Sequence, residues 1–237
     1  AVDFDLGSFD SYQFHIVGRS VHRHDSRSRQ PHHFFDLGVA LPRQELRKVN
    51  AGSDGSVLAF VSKPGFDPNL FVTGVIHKDY SAHQSDPDNP LFNRALQGRY
   101  PRGSTIKPML GLAGLDAGVT NWQRTISDPG YYQLENNPHR YRDWRRWGHG
   151  RVDMHKAVVQ SCDTYFYDMG FKLGIARMHE YMTKFSLGQP TGIDLYNESR
   201  GVMPSKEWKR AYRNSAWFHG DTINASIGQG FVLATPL

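Results

Sequence analysis

The stretch RYPRGSTIKPML, residues 99 to 110, places a hydroxyl at Ser104 and an amine at Lys107, with Gly103 before them and Pro108 after. On a helix, residues three apart share a face, so these two side chains can meet. A free serine hydroxyl is a weak nucleophile and needs a base beside it. Lysine serves as that base only when burial or neighbouring positive charge destabilises its ammonium. A helix start adds positive potential and free N–H groups that steady a developing oxyanion. Gly103 leaves room for a carbonyl to approach. The chemistry implied is acyl transfer through a serine ester. Taken alone, the motif is better explained by a plainer reading: Ser104 caps a helix and Lys107 is solvated.

A second group has metal-ligand chemistry. Asp128, Asp143, His149 and Cys162 offer two carboxylates, an imidazole and a thiolate, all donors that zinc accepts. Their spacing is irregular, without the close pairs that mark a zinc site in sequence. Turn carboxylates, a surface histidine and a small buried cysteine explain the same residues. His15, His22, His24, His32 and His33 lie in an Arg- and Ser-rich leader with little periodicity. Residues 1–50 are read as a poorly ordered or non-native leader with no function assigned.

The elements that must position these groups begin at SVLAFVS, 56 to 62, a short strand ending in Lys63-Pro64-Gly65. Loops rich in Pro, Asn and Asp are expected from there to Phe92. A helix fits 104–117, closed by Gly118. Residues 121–153 read as loop-rich and aromatic. Helices are expected at 154–161, 164–174 and 175–188, the last with Ile175, Met178, Tyr181, Met182 and Phe185 at core spacing.

With 237 residues the chain can bury a sizeable core, and its frequent glycine suits a mixed α and β protein. The net charge of +5 is mildly basic. Basic and aromatic residues interleave only in RYRDWRRWGHGR, 140 to 151, and nucleic acid is not expected as a partner. A single cysteine excludes an intrachain disulfide. No apolar run is long enough to span a bilayer and nothing resembles a signal peptide, so a soluble chain is expected, with any membrane anchor outside it.

LFNRALQGRYPRGSTIKPM resembles the active-serine segment of class B penicillin-binding proteins, of the elongation type. The resemblance runs on through SDPGYYQL, YRDWRRWGHGRVD, SCDTYFYDMG, TGIDL, MPSKEWKR and GDTINASIGQGFVLATP, covering about residues 55 to 237. It implies an α+β fold, an antiparallel sheet flanked by helices as in the penicillin-binding and β-lactamase-like serine transferases. It also implies that 51–237 form the N-terminal and central part of the transpeptidase domain. Ser104 would be the nucleophile and Lys107 its base. Ser161-Cys162-Asp163 matches the second motif of these proteins, with Ser161 relaying a proton and Asp163 lining the same wall. For Asp163, capping of the following helix is an equal alternative. The family also implies a structural zinc on Asp128, Asp143, His149 and Cys162.

The third motif, Lys-Ser/Thr-Gly, does not occur between Asp163 and Leu237, so the fold is expected to be incomplete at its C-terminus. Arg102 stands where these proteins usually carry a second proline. The function implied is a D,D-transpeptidase that crosslinks peptidoglycan stem peptides ending in D-Ala-D-Ala, is acylated by β-lactams, and serves cell elongation and rod shape. The family places such a protein on the periplasmic side of the inner membrane, with a SEDS-type glycosyltransferase and other elongation-complex proteins as partners. Two alternatives are a serine β-lactamase, for which no Glu-containing deacylation motif is evident, and a non-catalytic β-lactam sensor or scaffold.

Overall fold

Val57–Ser62, the apolar run expected to be a strand, pairs antiparallel with Arg47–Ala51, which pairs in turn with Phe35–Asp36. These are β3, β2 and β1 of a three-stranded sheet. The computed structural model describes residues 35–36, 47–51, 56–72 and 74–237. Strand β1 lies within the stretch read as a leader and β2 straddles its expected boundary at residue 50; the rest of the leader lies outside the described residues. The structure divides into two compact units: Ala1–Arg99 with Asp194–Ser199 and Thr235–Leu237, and Tyr100–Ile193 with Arg200–Ala234.

In the first unit, helix α1, His77–Ser85, occupies a stretch expected to be loop. Its sequence HKDYSAHQS buries no residue, so it has no apolar stripe to announce a helix. A 3₁₀ turn at Pro68–Phe71 is capped by the Asp67 carboxylate, which accepts from Asn69 N at 2.9 Å.

The second unit carries every candidate site residue. A 3₁₀ turn, Gly103–Ile106, leads directly into α2, Lys107–Asp116. Four three-residue strands follow: β4 (Ile126–Asp128), β5 (Tyr131–Gln133), β6 (Arg140–Arg142) and β7 (Gly150–Val152). β4 pairs with β7 and β5 with β6, both antiparallel. Then come α3 (Met154–Val159), α4 (Asp163–Lys184), α5 (Lys206–Arg213) and α6 (His219–Ala225). Helices with small antiparallel sheets make the α+β class expected from the resemblance.

α4 is the spine of this unit. It buries Tyr165, Phe166, Met169 and Leu173 against Ile106, Leu110 and Ala113 of the serine segment and Ile223 of α6. Each fully buried side chain of this size is worth roughly 1.5–3 kcal/mol relative to exposure. Small residues let the helices close up. A Cβ on Gly114 of α2 would fall 2.5 Å from Met169 Sδ, and one on Gly170 would fall 2.2 Å from Ser226 Cβ. At Gly174 the backbone turns to φ 74° and ψ 155°, breaking α4 into the two helices read from the sequence. Ile175, Met178 and Met182 are buried beyond that break, but Phe185 is exposed because α4 ends one residue before it. Among the described residues no helix is long and apolar enough to cross a membrane.

Candidate active site

Lys107 opens α2 and is only 2 % exposed. Its three ammonium protons have three acceptors: Ser161 O at 2.7 Å, Ser161 Oγ at 3.1 Å and Asp163 Oδ1 at 2.6 Å. The Phe166 ring centroid lies 5.4 Å from Nζ. This is a desolvated cation held by charge-assisted hydrogen bonds, which shorten and strengthen away from water. Ser104, three residues earlier in the 3₁₀ turn, is exposed. The structure therefore joins Lys107 to Ser161 and Asp163, and no hydrogen bond joins it to Ser104 Oγ. Hydrogen bonds of a catalytic pair are often loose in the free protein and tighten only with substrate.

The second motif occupies the corner between α3 and α4. Asp153 caps α3 by accepting from Lys156 N at 2.8 Å. Ser161 then takes the left-handed region, φ 53°, unusual for a residue with a side chain and characteristic of sites where surroundings enforce it. This turn points the Ser161 carbonyl and hydroxyl at Lys107. Asp163 is the first residue of α4 but does not cap it: Oδ1 goes to Lys107 and Oδ2 accepts from Trp144 N at 3.3 Å. The cap comes from elsewhere, since Asp143 Oδ2 accepts from Thr164 N at 2.9 Å. Burial raises the Asp163 pKa, and the Lys107 cation opposes that rise.

The backbone before Ser104 is held by the segment running from Gly228 to Ala234. Gly103 N donates to Gly228 O at 2.9 Å, and Tyr100 exchanges two hydrogen bonds with Ala234 at 2.9 and 3.0 Å. Gly103 and Gly228 both have positive φ, 55° and 70°. A Cβ on Gly228 would lie 2.2 Å from Gly103 O, so the two segments meet this closely only because residue 228 is glycine. The contact is made by backbone atoms alone, so no side chain in the segment announces it. Arg102 sits between, and burial lowers its guanidinium to about 10.

Asp128, Asp143, His149 and Cys162 come together from β4, from the loops after β6 and before β7, and from the corner before α4. One ligand atom from each lies within 4.8 Å of the others. His149 Nδ1 is 2.7 Å from Asp128 Oδ2 and 3.6 Å from Asp143 Oδ1, while Cys162 Sγ is 3.4 Å from Asp128 Oδ2. The two carboxylates and the imidazole have fully buried side chains, and Cys162 is 0 % exposed. His149 Nε2 is buried without a hydrogen-bond partner. Burial, with Asp143 next in weight, pushes the Cys162 thiol up. Burial also works to raise Asp128, but hydrogen bonds from His149 and the Gly130 amide help outweigh it, and the carboxyl is lowered. Two buried carboxylates beside one imidazole leave negative charge uncompensated, which a divalent cation would offset. The four donors fit a closed tetrahedral set.

The chain belongs to the penicillin binding protein transpeptidase domain family, whose model matches residues 50–237. It is 54% identical over 183 residues to the peptidoglycan D,D-transpeptidase MrdA of Acinetobacter baumannii, covering 77% of this chain and 27% of that protein. Among solved structures it is similar to Pseudomonas aeruginosa PBP2 in complex with WCK 5153, with 51% identity and a TM-score of 0.73 over 76% of this chain and 40% of that one. It is also similar to Helicobacter pylori PBP2 in complex with MreC, with 36% identity and a TM-score of 0.73 over 77% of this chain and 34% of that one. The chain thus spans about a quarter of the length of the A. baumannii relative.

Proposed function

We propose that this chain is the serine-bearing part of a peptidoglycan D,D-transpeptidase. The observation that carries the reading is the buried contact of Lys107 with both Ser161 and Asp163, one helical turn from an exposed serine. Lys107 first gives one ammonium proton to the Asp163 carboxylate it touches; Ser104 Oγ then attacks the carbonyl carbon of the penultimate D-Ala of a stem peptide, and the neutral Lys107 amine takes the hydroxyl proton. Ser161 passes a proton to the departing amine of the terminal D-Ala as the C–N bond breaks. An amine from a neighbouring stem peptide then attacks the Ser104 ester; the C–O bond to serine breaks as the new amide forms, and the amine's proton returns through Lys107 to Ser104 Oγ. Asp163 fixes Lys107 in place. A β-lactam enters the same first step, and its ring amide supplies the acyl group.

A zinc ion on Asp128, Asp143, His149 and Cys162 belongs to this reading. All four donors are protein groups, so the ion would be structural. It would hold the 128–149 loops to Cys162, the residue between Ser161 and Asp163. The metal's contribution is charge compensation and rigidity.

The work of such a protein is on the periplasmic side of the inner membrane, in cell elongation and rod shape. The H. pylori relative's complex with MreC supports an elongation-complex partner. A SEDS-type glycosyltransferase is the partner that would supply uncrosslinked strands. The reading is tested with the full-length protein and uncrosslinked glycan strands. Crosslinked muropeptides that disappear with Lys107→Ala support it. Fast catalytic hydrolysis of penicillins without crosslinks would instead favour a β-lactamase, and stable acylation without crosslinks a sensor.

A further inference from the structure

The segment Arg140–Arg151 holds five arginines, and all five are exposed. Its single acid, Asp143, is buried in the carboxylate cluster, so no exposed acid within the segment offsets them. The tip is a four-residue turn closed by Gly148 N donating to Arg145 O at 2.8 Å. Arg145, Arg146 and Trp147 stand out from it, with Trp147 80 % exposed and the Arg146 guanidinium 5.0 Å from its ring centroid. Neither Arg145 nor Arg146 forms an ion pair among the described residues.

The base of the turn is tightly built. A Cβ on Gly130 would lie 2.3 Å from Arg146 O, and one on Gly148, at φ 73°, would lie 2.1 Å from Asp128 O. The turn is thus wedged against the loop and strand that carry Asp128, where only glycine allows the approach. A stiff turn presenting two guanidiniums and an indole loses little freedom on binding. Tryptophan and arginine are also the residues that most often dominate binding surfaces. The turn begins one residue after Trp144, whose N–H reaches Asp163 Oδ2.

We infer that the Arg145–Arg146–Trp147 turn docks the peptidoglycan strand, the guanidiniums taking stem-peptide carboxylates and the indole stacking on a sugar ring. The inference rests on the transpeptidase reading, because that substrate combines both chemistries: carboxylate-bearing peptides on a chain of pyranose rings. Arginine forks match carboxylates bidentately, and contacts at an exposed site weaken as salt rises.

The test uses the full-length protein and soluble uncrosslinked glycan strands, with affinity read by sedimentation at low and moderate salt. Trp147→Ala is expected to weaken strand binding about fivefold, and Arg145→Gln with Arg146→Gln about tenfold, with a flatter salt dependence. Strands stripped of stem peptides should lose the sensitivity to the arginine pair and keep the sensitivity to Trp147. Thermal melting checks that the variants are folded. Unchanged strand affinity in both variants overturns the inference. So does loss of binding to anionic phosphatidylglycerol vesicles with strand binding intact, which would make the turn a membrane contact. Wild-type protein that a fluorescent penicillin fails to label at Ser104 defeats the transpeptidase reading itself, and labelled protein with indifferent variants defeats only the docking.

Discussion

Lys107 Nζ lies 2.6 Å from Asp163 Oδ1, and the two side chains are 2 % and 13 % exposed. The pair joins the first residue of α2 to the first residue of α4, so the wall behind Ser104 is held by opposite charges away from water. Removing one member of a buried pair leaves the other uncompensated and costs roughly 3–5 kcal/mol, whereas removing both can be close to neutral. Lys107→Met should therefore lower the urea midpoint sharply, and Lys107→Met with Asp163→Leu should recover much of the loss. Both variants should lose Ser104 acylation. Equal stability of the single and double variants would show that the pair is not coupled.

Gly228 offers a comparison with its own control. Gly118 has nearly the same φ, 66° against 70°, but a Cβ there meets nothing within 4 Å. Gly118→Ala should cost about 1 kcal/mol from backbone strain alone. Gly228→Ala carries the same strain and also drives into Gly103 O. It should cost clearly more and slow acylation of Ser104, measured by burst kinetics with a fluorescent penicillin. If the two substitutions slow acylation equally, Gly228 has no special part in placing the serine.

Much of this site is legible in the residues. Ser104, Lys107, Ser161 and Asp163 are quoted in motifs, and the four cluster residues are visible as donors before any coordinates. What the residues do not reveal is direction. Helical spacing puts Lys107 near Ser104, yet its three protons go to Ser161 and Asp163, because the corner at Ser161 depends on a left-handed backbone that no periodicity announces. Capping of α4 by Asp143, twenty residues upstream, is equally invisible, since long-range caps leave no local pattern. Strands β4 to β7 have three residues each, too few for a period-two signal, and α1 lacks an apolar face. Capped α3 and the two halves of α4 stand where expected, although α3 stops at Val159 rather than 161 and α4 at Lys184 rather than 188.

The cluster makes a prediction about metal content. Protein purified without chelator and dialysed should retain close to one zinc per chain by elemental analysis, and Cys162→Ser or His149→Ala should retain much less. Saturating metal at one hundred times its dissociation constant adds about 2.7 kcal/mol, so chelation should lower the melting temperature by several degrees. Full melting stability with no zinc bound would remove the metal from the account.

Trp144 links the cluster to the second motif: its indole N–H donates to Gln160 O at 3.1 Å, and its ring packs edge-on against His149 at 5.3 Å. Trp144→Phe keeps an aromatic six-membered ring but removes the indole N–H, and the hydrogen bond alone is worth about 1 kcal/mol. Acylation should slow because the Ser161 corner loosens, while zinc content stays the same. A variant that loses zinc in step with acylation would assign the effect to the cluster.

Acylation at Ser104 is the step on which the proposed chemistry turns, and one measurement addresses it directly. Full-length protein is treated with a penicillin, digested, and the adduct located by peptide mass spectrometry. A single adduct on Ser104, absent from Ser104→Ala and strongly slowed in Lys107→Ala, is the predicted result. An adduct on another residue, or labelling that persists in Ser104→Ala, would contradict it.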